Sequence, residues 1–171
     1  MRFLIAMLGV VLLFGSATAK PITIDEAMKE LRDRGMQSVD GVTILGESMV
    51  NAYHKKQGFR LKLTGCDSTD HACKVATFQA CKEVAVLSRL QLLEVANAYN
   101  NQNDPRGSMY VDNKSVLGAT ACIKTRNVLD DEDKFSMADV FEWQLTIRDF
   151  LKYIDSEEAS NSVRSIMGGS R

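Results

Sequence analysis

The strongest constraint on the fold is an alternating stretch near the middle of the chain, GFRLKLTGCDSTDHACKVATFQAC, which spans residues 58–81. From Phe59 to Thr64 apolar and polar side chains alternate, and this period of two is typical of a strand with one buried face. The polar segment DSTDHA follows as a turn, and CKVATFQACKEV has the β-branched and aromatic residues of a returning strand. The sequence therefore predicts a β-hairpin in which Cys66 ends the first strand and Cys73 begins the second.

The first 19 residues, MRFLIAMLGVVLLFGSATA, have the parts of a secretory signal peptide. Arg2 supplies a positive start, an apolar run follows, and small residues end in the A-x-A pattern of a cleavage site. This apolar run is shorter than the roughly 20 residues that cross a bilayer, and no later segment is long or apolar enough. We therefore expect cleavage after Ala19, a periplasmic or secreted mature chain, and no stable membrane insertion. A structural envelope protein with an uncleaved anchor is the competing interpretation.

Export affects how the four cysteines are interpreted, because an even number of cysteines outside the cytosol indicates disulfides. Four cysteines permit three pairings. Cys66 and Cys73 lie across the mouth of the predicted hairpin, and Cys81 and Cys122 each lie within a predicted strand. We therefore favour Cys66–Cys73 together with Cys81–Cys122, and these four residues are the predicted disulfide sites.

A small metal- or thiol-dependent enzyme centred on Cys66, His71 and Cys73 is the alternative function. Zinc sites favour two close pairs of ligands, such as C-x2-C with a second pair further on, and the spacing C-x4-H-x-C differs from that. A redox centre favours C-x-x-C or a single activated cysteine, and neither pattern is present. The pattern therefore indicates disulfides rather than a chemical site.

Three helices are predicted from caps and apolar spacing. Thr23 and Glu26 form a capping box that begins a helix over residues 24–34, and Gly35 ends it. Ser88 is the N-cap of a second helix with apolar residues at helical spacing. Ser136 begins the last and longest helix, predicted over residues 137–156, with a flexible tail over residues 158–171.

The other predicted elements are strands. Asp40-Gly41 is a turn signal with strand character on either side. The segment SMVNAYHKKQ is either a loop or the first half of a hairpin. A further hairpin combines SMYVDN with SVLGATACIKTRN and turns near Asn113-Lys114. The whole is an α+β domain over residues 20–157, an antiparallel sheet of about five strands with flanking helices in the order α-β-β-β-α-β-β-α.

Composition and motifs favour a protein without a catalytic site. The formal net charge is −1, so no excess of basic charge attracts nucleic acid. No G-x-S-x-G or phosphate-binding loop occurs, and His54 and His71 lie in polar stretches. The acidic loop of residues 130–134 lacks the glycine of a calcium-binding loop. We expect no cofactor and no metal.

Together these stretches resemble the YbjN domain family, whose exported members often have a strand ending in G-C, a second cysteine after a short turn, and an aromatic strand. A helix with an N-x-W-N motif and a short strand of the A-Y-L-D type follow. The corresponding residues here are Gly65, Cys66, Cys73 and Phe78, then Asn97-Ala98-Tyr99-Asn100, with tyrosine in place of tryptophan, and Met109-Tyr110-Val111-Asp112.

This resemblance implies a fold similar to type III secretion chaperones, a curved antiparallel sheet with flanking helices that often dimerises. It implies no enzymatic activity, and cytoplasmic relatives are described as regulators of sensory transduction, stress and motility. We therefore expect a non-enzymatic exported protein that binds an unknown protein partner or acts as a regulatory module, with a homodimer as one candidate assembly.

Overall fold

The computed structural model describes residues 21–44, 47–102, 106–112, 119–129 and 135–168, and these residues form an α+β fold of three helices and six strands. The predicted signal peptide, the turn near Asn113-Lys114 and the acidic loop of residues 130–134 lie outside the described residues. The elements are α1 Ile24–Asp33, β1 Gln37–Ile44, β2 Glu47–His54, β3 Gln57–Cys66, β4 Cys73–Val84, α2 Arg89–Asn100, β5 Ser108–Asp112, β6 Ala119–Val128 and α3 Met137–Gly168.

The six strands form one antiparallel sheet in the order β1-β2-β3-β4-β6-β5. The predicted hairpin is β3 and β4, and its register places Leu61 opposite Phe78 and Cys66 opposite Cys73. The second predicted hairpin is β5 and β6. Because β6 pairs with β4 along its length, β5 is left at one edge of the sheet and β1 at the other.

The core lies between the helices and one face of the sheet, which we call the inner face. The alternating residues Phe59, Leu61 and Leu63 are all buried there, as the sequence predicts. Trp143 of α3 stacks on Phe78 at 5.2 Å between ring centroids and meets Phe59 edge-on at 6.0 Å. Such aromatic pairs contribute beyond the area that they bury, so β3, β4 and α3 form the centre of the domain.

The predicted helix starts are confirmed by their hydrogen bonds. Thr23 accepts from the N–H of Glu26, whose carboxylate accepts from the N–H of Thr23 at 3.0 Å. Ser88 forms the same reciprocal capping box with Gln91. The hydroxyl of Ser136 accepts from the N–H of residue 138 at 3.2 Å, at the start of α3. These caps satisfy N–H groups that the helix leaves without partners.

The prediction of a turn at Asp40-Gly41 was wrong, because both residues lie inside the continuous strand β1. The glycine faces the side chains of α1 and is not part of a turn. A Cβ atom at Gly41 would lie 2.8 Å from Cδ1 of Ile24, so α1 approaches β1 closely at this point. The ambiguous segment that follows is strand β2, which forms a hairpin with β3. Four strands therefore precede α2, where the predicted order had three.

The last helix extends beyond the predicted end near residue 156 and continues to Gly168. Its middle part forms ion pairs with the sheet. Lys82 of β4 pairs with Asp155 of α3 and, at 2.8 Å, with Glu158 of the same helix. Within the ranges that the structure describes, no helix combines the length and the apolar character needed to span a membrane.

Candidate functional site

The cysteine-rich hairpin contains a disulfide between Cys66 and Cys73, which are direct partners across β3 and β4. Cys73 is fully buried. The turn between the two cysteines is held by its own aspartates, since Asp67 accepts from the N–H of residue 69 at 2.6 Å and Asp70 from that of residue 72 at 3.0 Å. The hydrogen bond to Asp67 is the main cause that lowers the pKa of this carboxyl. The turn is therefore ordered by local hydrogen bonds and closed by a covalent bond.

The second disulfide joins Cys81 of β4 to Cys122 of β6, again as direct partners across neighbouring strands. All four cysteines are used in these two bonds. The pairing is the one that the sequence favours, and it covalently links three consecutive strands of the sheet.

The alternative chemical site at Cys66, His71 and Cys73 loses its two thiols in this structure. The two sulfurs are bonded to each other, so neither can act as a thiolate ligand or nucleophile. His71 is exposed on the turn. Among the described residues, no group of three or more histidine, cysteine or acidic side chains could hold a metal ion.

The sheet face opposite the helices, which we call the outer face, carries polar and basic side chains. Arg60 of β3 lies opposite Gln79 of β4, and Gln79 lies opposite Lys124 of β6. The ammonium group of Lys124 lies 5.5 Å from the ring centroid of Tyr110, a cation–π distance. Burial, and then the nearby carboxylate of Asp112, raise the pKa of Tyr110.

A shallow depression of about 400 Å³ interrupts the outer face. Gly58 lies in its lining, and the ring of Tyr53 covers this glycine so closely that an added Cβ would lie 3.1 Å from it. Nε of Arg60 donates to the side-chain amide oxygen Oδ1 of Asn51 at 3.4 Å. Tyr53 therefore occupies the space beside Gly58, and Arg60 is hydrogen-bonded within the depression.

The edge strand β1 is the most open element of the sheet. Seven of its eight residues are exposed and the eighth is partly exposed. Val42 and Ile44 remain 43% and 54% exposed. In the register of β1 with β2, Val42 lies opposite Met49, so the apolar strip continues onto the next strand. The only charged residue of β1 is Asp40.

The opposite edge, β5, is closed by a side chain of α2. The amide group of Asn100 donates to the carbonyl oxygen of Met109 and accepts from its N–H, both at 2.8 Å. Asn100 therefore pairs with the backbone of β5 as a neighbouring strand would. The sequence singles out Asn100 only through the resemblance to the N-x-W-N motif, and the structure gives this residue a structural role.

Sequence reasoning identified the disulfides but missed the open edge, because it divided β1 into two strands around a turn. A signal was present, since QSVDGVTI has neither proline nor lysine, two residues that commonly protect edge strands.

The chain is similar in structure to YbjN from E. coli, a crystal structure with 13% sequence identity and a TM-score of 0.49 that covers 84% of this chain and 94% of that chain. No protein-family model and no curated protein matches the chain. At this level of similarity we transfer no residue role or activity from YbjN.

Proposed function

We propose that the mature chain is an exported, non-enzymatic protein that binds an extended segment of a partner protein along strand β1. The exposure of this strand is the observation that carries the proposal. A strand at a sheet edge leaves alternate N–H and C=O groups unpaired, and an added strand can bond to them. The resemblance to the YbjN family adds a regulatory role in sensory or stress responses to the proposal.

The second half of β1 is the better half for such an addition. Asp40 to Ile44 pair regularly with β2, whereas the register shifts between Gln37 and Asp40. Bulges of this kind hinder further strand pairing. Val42 and Ile44 are exposed on the open half and would meet alternate side chains of the incoming strand. We therefore place the binding segment at residues 40–44.

The two disulfides support the localisation part of the proposal. Stable disulfides form in oxidising compartments and are rare in the cytosol. Each bond joins two neighbouring strands of the sheet. The centre of the sheet would therefore stay rigid while strand β1 is free to pair with a partner. We therefore place the binding step in the periplasm or the medium.

The test is photocrosslinking from the edge strand. A photoreactive amino acid replaces Val42 in one variant and Val86 in the control, because Val86 is similarly exposed at 51% but lies in the segment between β4 and α2. We expect adducts from position 42 that map to one continuous peptide of another exported protein. Hydrogen exchange of the amides at residues 40–44 should slow when that peptide is added.

Three results would decide against the proposal in this form. Adducts that are equal from positions 42 and 86 would mean unspecific contact. The absence of adducts from position 42 would remove the edge as a binding site. Adducts only between two copies of position 42 would assign the edge to a homodimer rather than to a partner protein.

A further inference from the structure

A groove of about 700 Å³ lies between the turn that joins β2 to β3 and the middle of α3. The turn contributes residues 54–57, and α3 contributes residues between 147 and 155. Most of the lining surface is apolar, although its apolar residues are only Ile147, which is buried, and Leu151, which is half-buried. This groove is separate from the exposed side of β1, so an inference about it does not depend on the function proposed above.

The rim of the groove is basic although the whole chain has a net charge of −1. Two of its charged groups are already paired: Asp155 with Lys82, and Arg148 with the neighbouring aspartate at 2.9 Å. The three lysines of the rim are Lys55, Lys56 and Lys152, and none has a carboxylate within 4.0 Å in the described ranges. The groove therefore combines an apolar floor with uncompensated positive charge.

The turn also has an unusual backbone. Lys55 has a φ of 57°, in the left-handed region that glycine and asparagine adopt at lower cost. A lysine at this position is not explained by turn chemistry, because hairpin turns of this kind favour asparagine or glycine. Its charge beside the groove offers a reason for its presence.

We propose that this groove binds a single-chain amphipathic anion, namely an alkyl carboxylate such as a fatty acid. The alkyl chain lies along Leu151, above Ile147, and along the apolar stems of the lysines, which cover apolar surface while their charges stay in water. The carboxylate pairs with the three rim lysines. A bilayer surface fits less well, because membrane-binding faces present protruding apolar side chains, whereas Ile147 is only 1% exposed.

The first experiment is isothermal titration of the mature chain with dodecanoate below its micelle concentration. Butanoate keeps the charge and shortens the chain, and dodecyltrimethylammonium keeps the chain length and reverses the charge. We expect saturable one-to-one binding of dodecanoate and at least about tenfold weaker binding of the other two compounds. No saturable binding of dodecanoate, or equal binding of the cation, would overturn the proposal. Binding to anionic phospholipid vesicles without binding of dodecanoate would assign the charge to a lipid surface instead.

Charge reversal locates the ligand. The double variant Lys56→Glu with Lys152→Glu should weaken dodecanoate binding at least about tenfold. The control Lys74→Glu with Arg89→Glu changes the net charge equally at exposed positions outside the groove lining, and should stay within about twofold. Equal losses in both variants would show a general charge effect and refute the site.

Because a variant could bind poorly through misfolding, methyl resonances of Ile147 and Leu151 are also followed in the unmodified chain. Ligand-induced shifts confined to other residues would refute the site as well.

Discussion

The two disulfides allow a matched test of how cross-links stabilise this fold. Each bond joins one fully buried cysteine, Cys73 or Cys122, to one half-buried cysteine, Cys66 or Cys81. Replacing both members of a pair by alanine removes the same atoms in both variants, although Cys66 and Cys73 belong to the hydrophobic core and its border, and Cys81 and Cys122 do not. The two bonds also differ in the sequence separation that they close, which is 7 residues for one bond and 41 for the other.

The difference in loop length predicts the difference in stability. In the chain-entropy model a cross-link lowers the entropy of the unfolded chain, and the effect grows with the logarithm of loop length. For sequence separations of 7 and 41 the model gives losses of about 2.4 and about 3.9 kcal/mol. If loop closure dominates the loss, the Cys81→Ala/Cys122→Ala variant is less stable than Cys66→Ala/Cys73→Ala by about 1.5 kcal/mol.

The assay is equilibrium unfolding of the mature chain in urea, followed by the fluorescence of Trp143. This side chain is 1% exposed, so its emission reports the loss of the core. Each variant is fitted with its own dependence on urea, because removing a cross-link exposes more surface in the unfolded state. Equal losses, or a larger loss for the hairpin pair, would refute the entropic reasoning. Such a result would indicate that local contacts of the hairpin, and not loop closure, dominate.

Three further predictions concern single residues. Asn100→Ala removes both hydrogen bonds to the backbone of Met109 and should lower the free energy of unfolding by about 1–3 kcal/mol, with faster amide exchange in β5. Gly41→Ala places a Cβ against the side-chain ends of Ile24 and Met28, which can move aside, and should change the free energy of unfolding in urea by less than about 1 kcal/mol; a larger loss would show that α1 itself has to shift. Burial, and then Lys55, lower the pKa of His54. Since the unfolded state then binds more protons, the stability due to neutral His54 is present above the unfolded pKa and is lost as the pH falls through the folded value. The His54→Gln variant should therefore lose less stability than the unmodified chain between about pH 7.5 and about pH 5, and parallel losses would refute this origin.

Local patterns were sufficient for much of the fold. The hairpin of β3 and β4 follows from alternation along the chain, and the capping boxes at Thr23 and Ser88 involve residues only three positions apart. The pairing of Cys66 with Cys73 follows from the same hairpin. Such features are determined by near neighbours in the sequence, so the order of residue types is enough to predict them.

Other features depend on contacts that local patterns do not encode. Asp40-Gly41 has the composition of a turn, but it lies within a strand that pairs with β2, and side chains of α1 pack against that glycine. Similarly, the pattern of β2 is weak because two of its buried positions are Ser48 and Ala52, which are polar or small. Pairing with β1 and β3, together with the burial of alternate residues, distinguishes this strand from a loop.

The sequence by itself determined the class of the fold, its helix starts and the pairing of Cys66 with Cys73 across the hairpin. Only the tertiary structure decided which strands lie at the edges of the sheet and which side chains line the groove beside α3. The physical reason is that these contacts join residues that lie far apart in the sequence. The strand order results from burying the whole inner face at once. The same packing brings the turn that contains Lys55 next to Leu151 of α3. A pattern within one segment carries no information about that global packing.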